Sequence, residues 1–151
     1  MKYYTTNEWN QFGFSEAYIA EIQKVNGCLQ FTLDNVMIEP DNTQNRDIRR
    51  MRANELLLCI HNASVERLVE EGYRVYNADG KLMQQYDDTE IPQENYNDLL
   101  KSFADGESRI YSLEKTEDTY IFTIDASSDR TYVLYVAGTK DTEEWNRFLN
   151  L

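Results

Sequence analysis

Lys24-Val25-Asn26-Gly27-Cys28-Leu29-Gln30-Phe31-Thr32-Leu33 is the stretch that decides the fold. Asn-Gly accepts the positive φ that both central positions of a type I′ turn demand, and is the strongest short hairpin signal. Leu29, Phe31 and Leu33 then alternate with polar residues, as a half-buried strand requires. The segment before the turn is ambiguous. Phe14, Ala17, Tyr18, Ile22 and Val25 fit a helical stripe, whereas Tyr18, Ala20 and Ile22 fit a strand. The turn arbitrates, because a hairpin needs strands on both sides of it. Residues 16–25 and 28–38 are therefore read as a hairpin.

Working outward, Pro40 ends this unit and 41–53 reads as a polar, basic loop with one helical turn at 46–52. A third strand is expected near 55–62. Val65, Leu68 and Val69 fit a short helix or a continuing strand. Asn77-Ala78-Asp79-Gly80 makes a second hairpin turn between Tyr73–Tyr76 and Leu82-Met83. Pro92 suits the first position of a helix. Tyr96, Leu99, Leu100 and Phe103 recur at i, i+3, i+4 and i+7, which predicts a helix over 92–103. Strands are expected near 108–114, 118–125 and 130–137. Asp141 with Glu144 three residues on has the spelling of a capping box, and Trp145, Phe148 and Leu149 would share the face of a last helix over 142–150. The fold class expected is α+β: a bent antiparallel sheet of about six to eight strands with two helices, in a single domain spanning 1–151.

One internal echo stands out. Leu29, Phe31, Leu33, Asn35, Val36 and Ile38 align with Leu56, Leu58, Ile60, Asn62, Ala63 and Val65. In each, apolar residues alternate up to an Asn and then change phase, which points to a bulge that re-aims the strand. The stretch Phe14-Ser15-Glu16-Ala17-Tyr18-Ile19-Ala20-Glu21-Ile22, followed by a hairpin, resembles the start of some small β-rich immunity-type proteins of bacteria. The resemblance covers under a tenth of the chain, carries no catalytic residue and assigns no family.

The chain has 15 basic and 27 acidic side chains, a net −12. Residues 76–151 hold −9 of that. Such a charge repels phosphate backbones and anionic bilayers, so nucleic acid and membrane are not the expected partners. No stretch nears the roughly 20 apolar residues of a membrane helix, and the first residues lack a secretory core, so a cytoplasmic protein is expected. Cys28 and Cys59 lack metal-ligand spacing and sit among apolar residues. They are expected to be buried, reduced thiols. His61 is the only histidine, and with no motif around it reads as an ordinary strand-end residue. The paired acids match neither a calcium loop nor any other metal pattern, and glycine-rich phosphate cradles are missing. No cofactor is expected, and no motif points to catalysis.

Two polar groups remain as candidate sites. Arg46, Arg49, Arg50 and Arg52 place four planar cations within seven residues, the chemistry of a carboxylate- or phosphate-binding loop. Asp87, Asp88 and Glu90, with Glu114, Glu117 and Asp118, form a candidate acidic surface for a basic partner. The expected role is a non-enzymatic protein-binding module, an immunity or inhibitor type being one version. The alternative is a small-ligand binder or enzyme with a pocket in the curved sheet near the arginine loop.

Overall fold

A computed structural model describes residues 1–151. In chain order its strands are β1 (Tyr3–Thr6), β2 (Phe12–Gly13), β3 (Tyr18–Val25), β4 (Cys28–Asp34), β5 (Val36–Ile38), β6 (Met51–Ala53), β7 (Leu56–His61), β8 (Ser64–Glu70), β9 (Tyr73–Tyr76), β10 (Leu82–Tyr86), β11 (Thr89–Glu90), β12 (Arg109–Thr116), β13 (Thr119–Asp125), β14 (Thr131–Ala137) and β15 (Lys140–Trp145). The one α-helix, α1, covers Tyr96–Phe103 and is led in by a 3-10 turn at Gln93–Asn95.

Ten strands form one antiparallel sheet in the order β1-β15-β7-β4-β3-β12-β13-β14-β8-β11. Its spine is a long two-stranded ribbon. Residues 56–70 run antiparallel to residues 131–145, from Glu144↔Leu57 at one end to Tyr132↔Glu70 at the other. The ribbon bends where both chains cross at Asn62-Ala63 and Gly138-Thr139, and there the Thr139 amide donates to the His61 carbonyl at 2.9 Å. Gly138 is required at this crossing, since a Cβ would run into Ile60 Cγ2 and the His61 carbonyl. On either side of the bend lie the hairpins β3-β4 and β12-β13, which meet through one register pair, Tyr18↔Arg109. The sheet thereby folds over on itself, and Phe31 of β4 stacks on Phe122 of β13 with ring centroids 4.6 Å apart.

The interior follows the alternation. Leu29, Phe31 and Leu33, then Leu56, Leu58 and Ile60, then Tyr120, Phe122 and Ile124, are buried every second residue. Helix α1 turns Leu100 and Phe103 into this core, Phe103 lying 5.0 Å from the Tyr132 ring. The echo of 29–38 in 56–65 has a common physical basis. Asn35 and Asn62 both hold positive φ, 63° and 51°, and each redirects a strand that has just filled the core.

The α+β expectation needs correction. Strands hold 53% of the residues, the main sheet has ten strands where six to eight were expected, and helix is confined to one segment of 11 residues and a 3-10 turn at Trp9–Gln11. The expected helix at 92–103 is real, although Pro92 is extended (ψ 143°) and the α-helix begins only at Tyr96. The expected helix at 142–150 does not form. Residues 140–145 are β15, pinned between β1 and β7, where two strands of backbone partners outweigh a capping-box spelling. The aromatic cluster is nonetheless present: Trp145 is fully buried and Phe148 packs edge-on against it at 5.6 Å. The 46–52 segment has no helical turn and leads into β6 instead. Val65, Leu68 and Val69 continue as strand. Cys28 and Cys59 are half-buried, because they alternate out of phase with Leu29, Phe31, Leu58 and Ile60 and so face outward.

Candidate functional site

Strands β9 and β10 pair only with each other. In register, Tyr73↔Tyr86, Arg74↔Gln85 and Val75↔Gln84 lead through a bulge to Tyr76↔Leu82. Each residue from Tyr73 to Glu90 is exposed. Of the thirteen large apolar or aromatic side chains exposed on the protein, six lie here: Tyr73, Val75, Tyr76, Leu82, Met83 and Tyr86. They share one short ribbon, so it carries much of the adhesive surface of the molecule.

The ribbon is fixed at its root and shaped at its tip. Tyr73 stacks on Tyr86 at 4.4 Å, and the Arg130 guanidinium lies 4.3 Å from the Tyr73 ring. The Gly72 amide donates to Asp88 Oδ1 at 2.7 Å, and a Cβ on Gly72 would strike the Tyr86 carbonyl. At the tip, Asn77 Oδ1 accepts from the amides of Asp79 (2.9 Å) and Lys81 (3.0 Å), and Gly80 takes φ +80°. This turn was legible in the sequence. The exposure of both ribbon faces was not, although Tyr-Arg-Val-Tyr carries apolar groups on both sides of a strand and so hinted at an element without a single inward face.

Around this root lies the acid. From Glu70 to Asp98 the chain has eight acidic and two basic side chains, net −6, half the charge of the whole protein. Asp87, Asp88 and Glu90 sit at the foot of the ribbon, and Glu90 pairs with Arg67. Glu114 ends a cross-strand row that runs Glu114, Ile121, Tyr135, Arg67 and on to Glu90. Both acids therefore use the outer face, but at opposite edges, roughly 19 Å apart at the usual strand spacing. Glu117 lies in the β12-β13 turn with φ 55°, and the Asp118 carbonyl accepts from the Gly138 amide. The structure gathers Asp87, Asp88 and Glu90 with the ribbon and leaves Glu114, Glu117 and Asp118 apart from them.

The arginine loop is organised by a buried side chain, Asn45, whose amide donates to the carbonyls of Ile38, Glu39 and Arg49. Arg49 pairs with Asp47 at 3.3 Å and holds that carboxyl below its usual range. Arg50 grips Glu39 with contacts of 2.8 to 3.1 Å. Arg52 has its Nε buried without a partner, and its backbone bridges to Leu149. Arg46 alone of the four lines an open pocket of about 730 Å³, with Tyr3, Met51 and Phe148. Two of the four cations are thus neutralised by the loop's own surroundings.

A third polar group lies inside the sheet. Asp141 and Glu143 point from β15 to the same side as Leu58 and Ile60, and both are fully buried. Tyr120 donates to Asp141 Oδ1 at 3.0 Å, and Thr5 donates to Glu143 Oε1 at 2.6 Å. Glu143 Oε2 has no partner. Burial, reinforced by the Asp141 carboxylate, pushes Glu143 up to about 9, so it is a neutral acid at neutral pH. Asp141, read from the sequence as a helix cap, is a core residue. No cluster of three or more His, Cys, Asp or Glu side chains is arranged to hold a metal ion.

Comparison with protein-family models finds no match, and comparison with curated proteins and with solved structures finds none either. No helix is long and apolar enough to cross a membrane.

Proposed function

We propose that the protein is a non-enzymatic binding module that docks a basic protein through the β9-β10 ribbon and the carboxylates at its foot. The observation that carries this reading is the combination of six exposed apolar side chains on one free-standing ribbon with a surrounding net charge of −6. Aromatic anchors such as Tyr73, Tyr76 and Tyr86 supply contact area at low entropic cost, and Asp87, Asp88 and Glu90 steer a cationic surface toward them. An inhibitor or immunity-type role is the concrete form: a ribbon of this width enters the cleft of a basic enzyme and blocks it.

The test is capture from the source lysate by the wild-type protein and by two variants, Tyr76→Ala/Met83→Ala and Asp87→Asn/Asp88→Asn/Glu90→Gln, each at low and high salt. A basic protein held by the wild type, lost with the ribbon variant and slower to associate with the charge variant supports the reading. A partner retained by both variants, or one whose association ignores salt, refutes it.

A second reading places a small anion in the pocket beside Arg46. The Arg46 guanidinium, which makes no ion pair where Arg49 and Arg50 do, favours it, and the Asp47 carboxylate in the same lining opposes it. Calorimetric titration of Arg46→Ala against wild type with inorganic phosphate or a carboxylate tests it.

A further inference from the structure

On the outer face of the sheet the topology joins three residues that are far apart in sequence. The register Leu29↔Ile60 and Gln30↔Cys59 sets Cys28 opposite His61, and Thr142 opposite Cys59. Cys28 Sγ lies 3.3 Å from His61 Nδ1, and His61 Nε2 lies 2.8 Å from Thr142 Oγ1. In the Nε2–H tautomer the ring donates to the Thr142 hydroxyl, and the bare Nδ1 accepts from the Cys28 thiol, the arrangement in which His61 can take the thiol's proton. Thr142 is buried and holds the ring in place.

Cys28 is half-exposed and lines a cleft of about 350 Å³ with Ser64, Gln93, Tyr96 and Asn97. The one charged side chain in that lining is Lys24, whose amine donates to Asn97 Oδ1 at 3.0 Å. Cys59 differs. Its thiol donates to Gln30 Oε1 at 3.5 Å, and burial pushes it up to about 11, so it stays protonated and unreactive. As the diagonal neighbour of Cys28 it sits about 7–8 Å away, beyond what a disulfide spans without backbone movement.

We propose that Cys28 is a selectively reactive thiol that takes up a carboxylate-bearing low-molecular-weight thiol as a mixed disulfide, with His61 as its base. The Cys28 proton passes to His61 Nδ1. The thiolate attacks one sulfur of a small disulfide, the new S–S bond forms as the old one breaks, and the departing thiolate takes the proton from His61. The disulfide is the oxidant, and one free small thiol leaves for each Cys28 modified. Lys24 receives the carboxylate of the bound thiol, and the distance to Cys59 stops the reaction at the mixed disulfide.

The probes are glutathione disulfide and the cationic disulfide cystamine, each with the full chain, read by intact mass and peptide mapping. The expected result is a single adduct on Cys28, none in Cys28→Ser, and the wild-type rate in Cys59→Ser. His61→Gln should slow the reaction about a hundredfold, the lower end of what a positioned base supplies. Lys24→Gln should erase a preference for glutathione disulfide over cystamine. An unfolded His61→Gln would betray itself by labelling at Cys59, and His61→Asn then takes its place. Equal labelling of both thiols in the folded wild type, or a wild-type rate in a folded His61 variant, overturns the proposal. An unchanged preference in Lys24→Gln overturns the assignment of an anionic thiol.

Discussion

Two antiparallel ribbons of this protein, similar in local chemistry, live in opposite surroundings. The spine, 56–70 against 131–145, has strands on both sides and buries Leu56, Leu58, Ile60, Leu134, Val136 and Trp145 completely. The β9-β10 ribbon has no third strand and buries none of its residues. A lone two-stranded hairpin is marginal in water, and apolar side chains that cover nothing contribute little to folding. The spine's apolar residues are explained by the core. Those of the ribbon are not, and the proposed docking role rests on that remainder.

The largest effect separating the two ribbons belongs to Trp145. Trp145→Ala should cost about 3–5 kcal/mol in urea unfolding, because the ring is fully buried against Tyr3, Phe12 and Phe148. A loss under about 1 kcal/mol would place β15 outside the cooperative core.

Glu143 predicts a pH dependence that only the spine carries. Its folded pKa of about 9 stands above the ordinary glutamate value of 4.5, so between those values the folded state keeps a proton that the unfolded state has released. The contribution is complete below the unfolded value and is lost as pH rises toward 9, with a slope of at most about 1.4 kcal/mol per pH unit for one proton. Glu143→Gln should flatten the fall in stability between pH 5 and 8, as measured by chemical unfolding across that range. A stability that rises with pH in the wild type, or an unchanged slope in the variant, would show that the buried acid is ionised.

Gly138→Ala should cost about 1–3 kcal/mol, since the added Cβ overpacks the crossing against Ile60 and the His61 carbonyl. Thermal unfolding of the pair reads this, and a neutral result would mean that the bend yields. The smallest effect is expected on the other ribbon. Tyr76→Ala/Met83→Ala should shift unfolding by less than about 0.5 kcal/mol, the usual range for exposed sites. A larger loss would make the ribbon part of the fold and remove the argument for a partner.

Much of the fold was legible because the spacing of apolar residues is local information. Asn26-Gly27 takes positive φ at both positions as its spelling implies. Asn77–Lys81 turns the second hairpin through a longer loop, with positive φ at Gly80 and not at Asp79. The strands near 55–62, 108–114, 118–125 and 130–137 lie close to where alternation puts them. The stretch 140–145 was not legible. Asp141-Thr142-Glu143-Glu144 spells a helix start, and nothing local reveals that β1 and β7 will claim its backbone on both sides. The candidate sites divide in the same way. The acids at 87–90 and the arginines at 46–52 are visible as runs. The Asp47–Arg49 pair is local and readable from the spacing, whereas the capture of Arg50 by Glu39, and the place of Glu114 across the sheet from Glu90, depend on how separate segments pair.

By itself the sequence determined an acidic, alternating chain with hairpin turns at fixed places and one amphipathic helix, because turn chemistry and side-chain period act within a few residues. Only the tertiary structure decided which acids are buried and which are exposed, that Cys28 would face His61 across 33 residues, and that β9-β10 would stand free. Those outcomes rest on which strand lies beside which. A strand's hydrogen-bonding groups are the same whatever its sequence, so local spelling leaves that choice open and the packing of the whole core makes it.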